Sequence, residues 1–305
     1  MYAFIVNPNA RSGTGIQIWR HLEDILKKKG ICYQVYLTRY PGQASDFVRE
    51  ITDQYEHPVI TILGGDGTIN EAVNGLPHMS AATLAYIPIG SGNDFARSMR
   101  LSSDPETALS HILNPEKHAY INVGRISFQD KTKRFAVSSG IGFDADVCFC
   151  NTTSWFKSLL NRLKLGKFSY TAVALQRLLA QKPGEMTLTL DGQHTHTFRK
   201  VYFATAMNQL YEGGGFKFCP KADPGDDILD IIVIADMPKL KALLLLPTAY
   251  KGWHTFFRGV YTYTCRSAEI TSSLSLPVHT DGEPIIRETH VTFSLEPEKI
   301  HLICT

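Results

Sequence analysis

The chain has little net charge, few cysteines and no long apolar run. Its 31 basic and 29 acidic residues leave a formal charge of +2 over 305 residues. Bulk electrostatics therefore point to no nucleic-acid partner. The six cysteines are scattered. Only Cys148 and Cys150 are close, and a one-residue gap is neither a zinc nor a redox spacing. The expectation is free thiols in a reducing cytoplasm. No stretch reaches the ~18 apolar residues of a membrane span, and the run from Leu243 to Leu246 is cut by Pro247. The opening Met1 to Val6 lacks a basic n-region and reads as a buried strand rather than a signal peptide. No internal repeat and no low-complexity linker occurs. A P-loop, GxxxxGK followed by Ser or Thr, is missing. So is a spaced GxGxxG with an acidic residue ~20 positions on, which excludes a Rossmann dinucleotide site of the usual kind.

The composition, 44% hydrophobic and 20% charged, is that of an ordinary globular protein. The length gives a prior of two domains at roughly 150 residues each. The first third alternates strand and helix patterns. Tyr2 to Val6, Tyr33 to Leu37, Val59 to Leu63 and Leu84 to Ile89 read as strands. Ile16 to Lys29, Ala44 to Tyr55, a segment from Ile69, and Asp94 to Met99 read as helices. That order predicts a mostly parallel sheet covered by helices. Near residue 120 the pattern changes to strands: Ala119 to Ile126, Phe135 to Ser138, Met186 to Leu190, Val201 to Ala206, Leu229 to Ile234 and Glu269 to Leu274. We expect an α/β domain over 1–122 and a mainly β domain over 123–305. The strand-like tail Val291 to Ile303 is free to return to the first domain.

Three glycine-rich turns each follow a predicted strand: Asn7 to Gly15, Gly64 to Thr68, and Gly90 to Asp94. In open α/β sheets, ligands bind beyond the carboxyl ends of the strands. Glycine lets backbone amides approach phosphate oxygens, and the next helix N-terminus favours negative charge. One such turn is commonly only a turn; three at successive strand ends converge on one cleft. Asp66, flanked by glycines, suits phosphoryl transfer and could equally cap the helix starting at Ile69.

Two further carboxylate groups stand out. The turn Ala222 to Asp230 offers Asp223, Asp226 and the Ile228 carbonyl, hard oxygen donors of the kind magnesium takes; a solvated turn before a strand is the simpler reading. Asp281, Gly282 and Glu283 read as a hairpin turn. On an extended strand, the two carboxylates would share one face. Two basic apolar segments, Trp155 to Lys182 and Lys239 to Arg258, have the character of surfaces that lie on anionic lipid. Helices packed on the sandwich with a solvated basic edge explain them too. As nucleic-acid surfaces they are poor, with few arginines and no recognised module. His194 and His196 alternate on a strand and carry no metal expectation.

Taken in order, these motifs resemble the diacylglycerol kinase catalytic-domain family, especially its soluble bacterial lipid kinases, relatives of the sphingosine kinases. The marks are Asn7–Pro8, GGDGTINE from Gly64 to Glu71, PIGSGNDFAR from Pro88 to Arg97, and SGIGFDA from Ser139 to Ala145. Then come Asn208, Gly213 to Gly215, Pro220 to Asp230, and DGEP from Asp281 to Pro284. GGDG alone is shared with 6-phosphofructokinases and NAD kinases. The resemblance spans nearly the whole chain. It implies a Rossmann-like, 6-phosphofructokinase/NAD-kinase-like α/β domain and a β-sandwich domain, with ATP in the cleft between them.

On the matching positions, ATP would be held by Asn7, Ser12, Gly13, Thr38, Gly64, Gly65, Asp66, Gly67, Thr68, Ile69, Asn70 and Ser91. The first loop departs from the family's NPxSG form by two extra residues before Ser12, and Ser91 stands for the usual threonine. A structural Mg2+ would use Asp223, Asp226 and Ile228, where the family's DDG reads Gly225, Asp226, Asp227. A second Mg2+ would arrive with ATP. The proton acceptor would be Glu283, with Asp281 next and Asp66 in support. The implied activity is transfer of the γ-phosphate of ATP to a lipid alcohol. Diacylglycerol, giving phosphatidic acid, comes first; phosphatidylglycerol, a polyprenol and a sphingoid base offer similar hydroxyls. The enzyme would work from the cytoplasm, peripherally at the inner membrane face, with a homodimer left open. An NAD-kinase-like enzyme would explain GGDGT but not GSGND, DGE or the basic apolar segments. A non-catalytic nucleotide-binding regulator would predict eroded acids, yet Asp66, Asp226, Asp281 and Glu283 are all present.

Overall fold

The computed structural model describes residues 1–153 and 183–304. The first sheet has six strands in the order β2-β1-β3-β4-β15-β5. These are β1 (Tyr2–Val6), β2 (Tyr33–Leu37), β3 (Val59–Gly64), β4 (Thr83–Pro88), β5 (Lys117–Ile121) and β15 (Ile300–Cys304). All neighbours are parallel except β15 and β5. Helices α2 (Gly15–Lys28) and α6 (Pro105–Leu113) pack on one face, and α3 (Gln43–Gln54) and α4 (Asp66–Gly75) on the other. β1 shows why its sequence is apolar throughout. Ala3 and Ile5 face α3 and α4, while Phe4 and Val6 face Trp19, Leu22 and Leu26 of α2. A sheet covered on both sides buries every residue of a central strand.

The second sheet has nine strands. β6 (Gly124–Phe128) and β7 (Lys131–Phe135) lie at one edge and β12 (Val260–Cys265) at the other. Between them run β8 (Ser138–Gly142), β9 (Gly184–Leu190), β10 (His194–Met207), β11 (Leu229–Ala235), β13 (Ser267–Thr280) and β14 (Glu283–Leu295). The long β10 and β13 each pair with β9 along their first halves and with β8 along their second. Register breaks at Phe198/Val201 and Thr271/Leu276 mark the change. β10 and β11 put Ala204, Ala206, Ile231 and Val233 into the main core. Their other face, with Phe203, Ile232 and Ile234, packs under helix α8 (Lys239–Ala249). Helices α1 (Ala10–Gly13), α5 (Asp94–Ser98) and α7 (Phe143–Thr153) and a 3-10 turn (Trp253–Phe256) complete the described elements.

The structure departs from the sequence reading at identifiable points. The expected strand Ala119 to Ile126 is two strands in two sheets, β5 and β6. The break falls at Asn122, whose side chain exchanges hydrogen bonds with Asp227 at 2.9 and 3.0 Å. The expected strand Phe135 to Ser138 is instead the junction of two strands: Phe135 ends β7, Ser138 opens β8, and Ala136 and Val137 are the link. It is buried because its amides serve a carboxylate described below. Helix α6 was not anticipated, although Asp104 caps it by accepting from Thr107 N at 2.8 Å and Pro105 opens it. The tail Val291 to Ile303 is divided, with its first part in β14 and its last in β15 of the first sheet.

Candidate functional site

The three glycine turns meet at the carboxyl ends of β1, β3 and β4. Gly65 and Gly90 touch through their backbones. A Cβ built at Gly90 would lie 2.6 Å from the Gly65 Cα, so the approach needs glycine. Asn7 follows β1 and donates from Nδ2 to Thr68 Oγ1 at 3.4 Å. Thr38 closes β2 against β1, its amide donating to the Val6 carbonyl at 2.9 Å. Ser12 and Gly13 lie on α1, and Gly13 has a φ of 91°. Ser91 is exposed at the tip of the third turn, whereas the Ile69 side chain is fully buried in the first-domain core. Only the Ile69 backbone can therefore face a ligand.

Asp66 opens α4, yet its side chain does not cap that helix. It crosses to the third turn and accepts from the amides of Asp94 and Phe95, both at 3.1 Å. The expected cap for the segment at Ile69 is thus a cap for α5. Burial raises the Asp66 pKa, against the hydrogen bonds from these amides. Asp94 pairs with Arg97 and accepts from the Gly214 amide of the second domain at 2.6 Å. Its carboxyl is pushed up to about 6, chiefly by burial, with Asp66 adding repulsion.

The carboxylates of the DGE motif do not share a face. Asp281 and Gly282 form a two-residue turn between β13 and β14, with φ of 47° and 79°. Positive φ at both central positions is the hairpin geometry that favours Asp-Gly, and it cancels strand alternation. Asp281 turns inward and accepts from the amides of Ala136, Val137 and Ser138 at 2.8–2.9 Å and from Asn70 Nδ2 at 2.7 Å. Burial raises its pKa, and those donors oppose the rise. Glu283 turns the other way. A Cβ added at Gly67 would lie 3.1 Å from its Oε1, so this second-domain carboxylate stands over the second glycine turn. The Glu283 side chain makes no hydrogen bond to a described residue.

Sequence reading missed a second group behind this hairpin. His279 Nε2 lies 3.2 Å from Asp144 Oδ2 and 3.3 Å from Glu212 Oε1. Thr205 donates to Asp144. Burial pushes the Glu212 carboxyl up to about 7, offset by the His279 ring and reinforced by Asp144. The two carboxylates and the histidine lie far apart in sequence, so no spacing announces them. The Asp144 signal was present inside SGIGFDA.

The proposed magnesium donors are in a different part of the second domain. Asp223 and Asp226 each accept an amide of their own turn, from Gly225 at 2.9 Å and Ile228 at 3.0 Å. Both side chains are exposed and each keeps an oxygen outside its turn. With the Ile228 carbonyl they form an all-oxygen set of the kind magnesium takes. Lys299 already places an ammonium in this loop, 2.8 Å from the Gly225 carbonyl and 2.9 Å from Asp227.

Beside the polar cleft lies an apolar pocket between β10, β11 and α8, lined by Phe143, Phe203, Phe218, Met237, Leu243 and Leu246 among others. Phe143 on its rim directly precedes Asp144. The outer side of α8 and the following 3-10 turn expose Leu240, Leu244, Trp253 and Phe256, the last 84% accessible. No helix among the described residues is long and apolar enough to cross a membrane. The other basic apolar segment, Trp155 to Lys182, lies outside the described residues.

Residues 1–126 match the diacylglycerol kinase catalytic domain family. Residues 141–304 match the YegS C-terminal NAD kinase beta sandwich-like domain. The chain is 30% identical over 286 residues to the candidate lipid kinase YtlR of Bacillus subtilis strain 168, covering 92% of each chain. It is 28% identical over 227 residues to a diacylglycerol kinase of Mycobacterium tuberculosis, covering 73% of this chain and 70% of that one. In fold it is similar to the crystal structure of a candidate diacylglycerol kinase from Bacillus anthracis strain Sterne. The TM-score is 0.78 at 22% identity, over 100% of this chain and 95% of the other. An NAD kinase from Archaeoglobus fulgidus in complex with ATP aligns with a TM-score of 0.57 at 14% identity, over 99% and 93%. The architecture is accordingly the expected α/β domain with a β-sandwich-like partner, and the chain belongs to the diacylglycerol kinase and YegS-like lipid kinase family.

Proposed function

We propose that this lipid kinase family member transfers the γ-phosphate of ATP to the hydroxyl of a lipid alcohol, diacylglycerol first among the candidates. The observation that carries the reading is Glu283 standing over Gly67. A carboxylate on one domain faces a phosphate-binding turn on the other. ATP binds across the turns at Asn7, Ser12–Gly13, Thr38, Gly64 to Asn70 and Ser91, with backbone amides toward its phosphates. Asp66 holds the second and third turns together through its bonds to α5. Asp94 and Glu283 put negative charge beside these turns, so a triphosphate needs a divalent cation to enter. Magnesium arriving with ATP supplies that charge neutralisation and orients the phosphates. A structural magnesium would be held by Asp223, Asp226 and the Ile228 carbonyl and would brace their loop.

Glu283 takes the proton of the lipid hydroxyl as the new O–P bond forms and the bond to the ADP oxygen breaks. Asp281 is the weaker candidate for that role because four donors already occupy it. It orients the turn instead. The acyl chain enters the apolar pocket, and Phe143 and Asp144 mark where apolar wall gives way to polar cleft. The exposed Leu240, Leu244, Trp253 and Phe256, with Lys239, Lys241, Lys251 and Arg258 nearby in sequence, support peripheral contact with an anionic membrane on its cytoplasmic face.

The test is transfer of labelled γ-phosphate from ATP and magnesium to diacylglycerol in mixed micelles, with phosphatidylglycerol, a polyprenol, a sphingoid base and NAD in parallel. Labelled phospholipid supports the reading and names the acceptor. Labelled NADP replaces it with a soluble phosphotransferase. ATP binding with no acceptor, membrane extract included, replaces it with a nucleotide sensor.

A further inference from the structure

The imidazole of His279 is fully inaccessible and has contacts on both sides. Its Nδ1 faces the Gly282 amide, which donates to it at 3.2 Å. Its Nε2 faces Asp144 and Glu212 at 3.2 and 3.3 Å. Strand β8 runs directly beneath. A Cβ built at Gly140 would lie 2.7 Å from Nε2 and would collide with Asp144, so the ring has no room to turn. The three side chains are close enough to suggest a cation site, but the second ring nitrogen argues otherwise. A metal-bound histidine presents its other N–H to an acceptor. Here that nitrogen receives an N–H, so the ring is neutral with its proton on Nε2; burial opposes a second proton on the ring while Asp144 and Glu212 favour it, and the Gly282 N–H keeps that proton on Glu212 instead.

The arrangement is a brace. Asp281 is held from one side by the Ala136 to Ser138 amides, and Gly282 from the other by His279. Among the described residues, His279 is the acceptor for the Gly282 amide. Glu283 is the next residue along. Asp144 is the second residue of α7, whose first, Phe143, lines the apolar pocket. We propose that His279 is a positioning residue whose Nδ1, by accepting the Gly282 amide, fixes Glu283 over Gly67. This rests on the reading of Glu283 as proton acceptor.

Two replacements separate the two sides of the ring. His279→Asn keeps an acceptor where Nδ1 stood but is too short to reach Asp144 and Glu212. His279→Gln reaches the carboxylates and leaves the Gly282 amide without a partner. In the full-length protein, kcat for lipid phosphorylation and deuterium uptake at residues 276–288 are measured together. A displacement near 1 Å costs up to about 100-fold in rate, so His279→Gln is expected to lose about 10- to 100-fold in kcat with KM for ATP within about threefold. Uptake at the hairpin rises in that variant. His279→Asn stays within about threefold of the parent kcat, with parent-like uptake. Parent-like kcat and uptake in His279→Gln overturn the proposal, as does an equal loss of kcat in both variants. If His279→Gln fails to fold, His279→Asn decides alone: retained kcat and uptake support the brace, and loss of either overturns it. Glu283→Gln in the same assay separates the two readings. If it turns over normally, the proton-acceptor assignment falls, while hydrogen exchange at the hairpin still decides the role of His279.

Discussion

Asn70 donates its side-chain N–H to Asp281 Oδ2 at 2.7 Å, tying the helix behind the second glycine turn to the hairpin that presents Glu283. Three backbone amides share the same carboxylate. Removing the acceptor would leave four donors without a partner. We expect Asp281→Ala to cost about 3 kcal/mol of stability and Asn70→Ala about 1 kcal/mol. Urea unfolding of both variants measures this. A loss under about 1 kcal/mol for Asp281→Ala would show that the hairpin is pinned elsewhere.

The Glu283 side chain makes no hydrogen bond to a described residue, so its removal should spare the fold. Glu283→Gln is expected to lower kcat at least ~100-fold, the contribution of a general base. Its thermal midpoint and its affinity for ATP should stay near the parent values. The contrast with Asp281 is the informative part. One carboxylate is expected to report in kcat alone, the other in stability first. A Glu283→Gln enzyme within tenfold of the parent would move the base to Asp66 or to solvent.

The glycine turns, the parallel sheet and the late DGE motif were legible because each is local: a strand end, a turn residue, a charge within a few positions. What the carboxylates touch was not. Asp66 and Asp94 are 28 positions apart and Asp281 and Asn70 are 211 apart, and the folded chain brings them together. Strand alternation put Asp281 and Glu283 on one face, but two successive positive φ values separated them. The run Phe135 to Ser138 read as one strand because it is apolar; it is the end of β7, a two-residue link and the start of β8, buried where its amides reach Asp281. Glu212 and His279 carried no pattern at all. Their proximity depends on β8 lying between β10, which leads to Glu212, and β13, which carries His279, a pairing that no periodicity reports.

Asp94 is a buried carboxylate at the third glycine turn. Its pKa is raised from 3.8 to about 6, so the folded protein favours the protonated form. The associated stability is full below the unfolded pKa near 4 and is lost as pH rises through about 6. At about 1.4 kcal/mol per unit, the loss amounts to about 3 kcal/mol. Asp94→Asn mimics the protonated state and should escape it. We expect the stability of the variant relative to the parent to improve between pH 4 and pH 7.5, while its kcat/KM falls because the charged partner of Arg97 and Gly214 is gone. Paired urea titrations at the two pH values, with turnover at the higher one, check both halves. A relative stability that does not change with pH would show that Asp94 ionises at little cost.

Phe256 is 84% exposed and Trp253 58% exposed, on the 3-10 turn that follows α8, a wall of the apolar pocket. Aromatic rings left in water at the mouth of a lipid site gain free energy on entering a bilayer, about 2 kcal/mol each when fully buried. Two serines in their place should weaken partition onto phosphatidylglycerol vesicles by at least about tenfold. Neither ring lines the pocket or the cleft, so turnover of a short-chain diacylglycerol dissolved below its aggregation limit should be unchanged. Sedimentation with vesicles and activity on the two substrate forms separate the possibilities. Loss on vesicles alone assigns the patch to membrane contact. Equal loss on the dissolved substrate would instead make the patch part of the acceptor site, and unchanged partition would move membrane contact away from this turn.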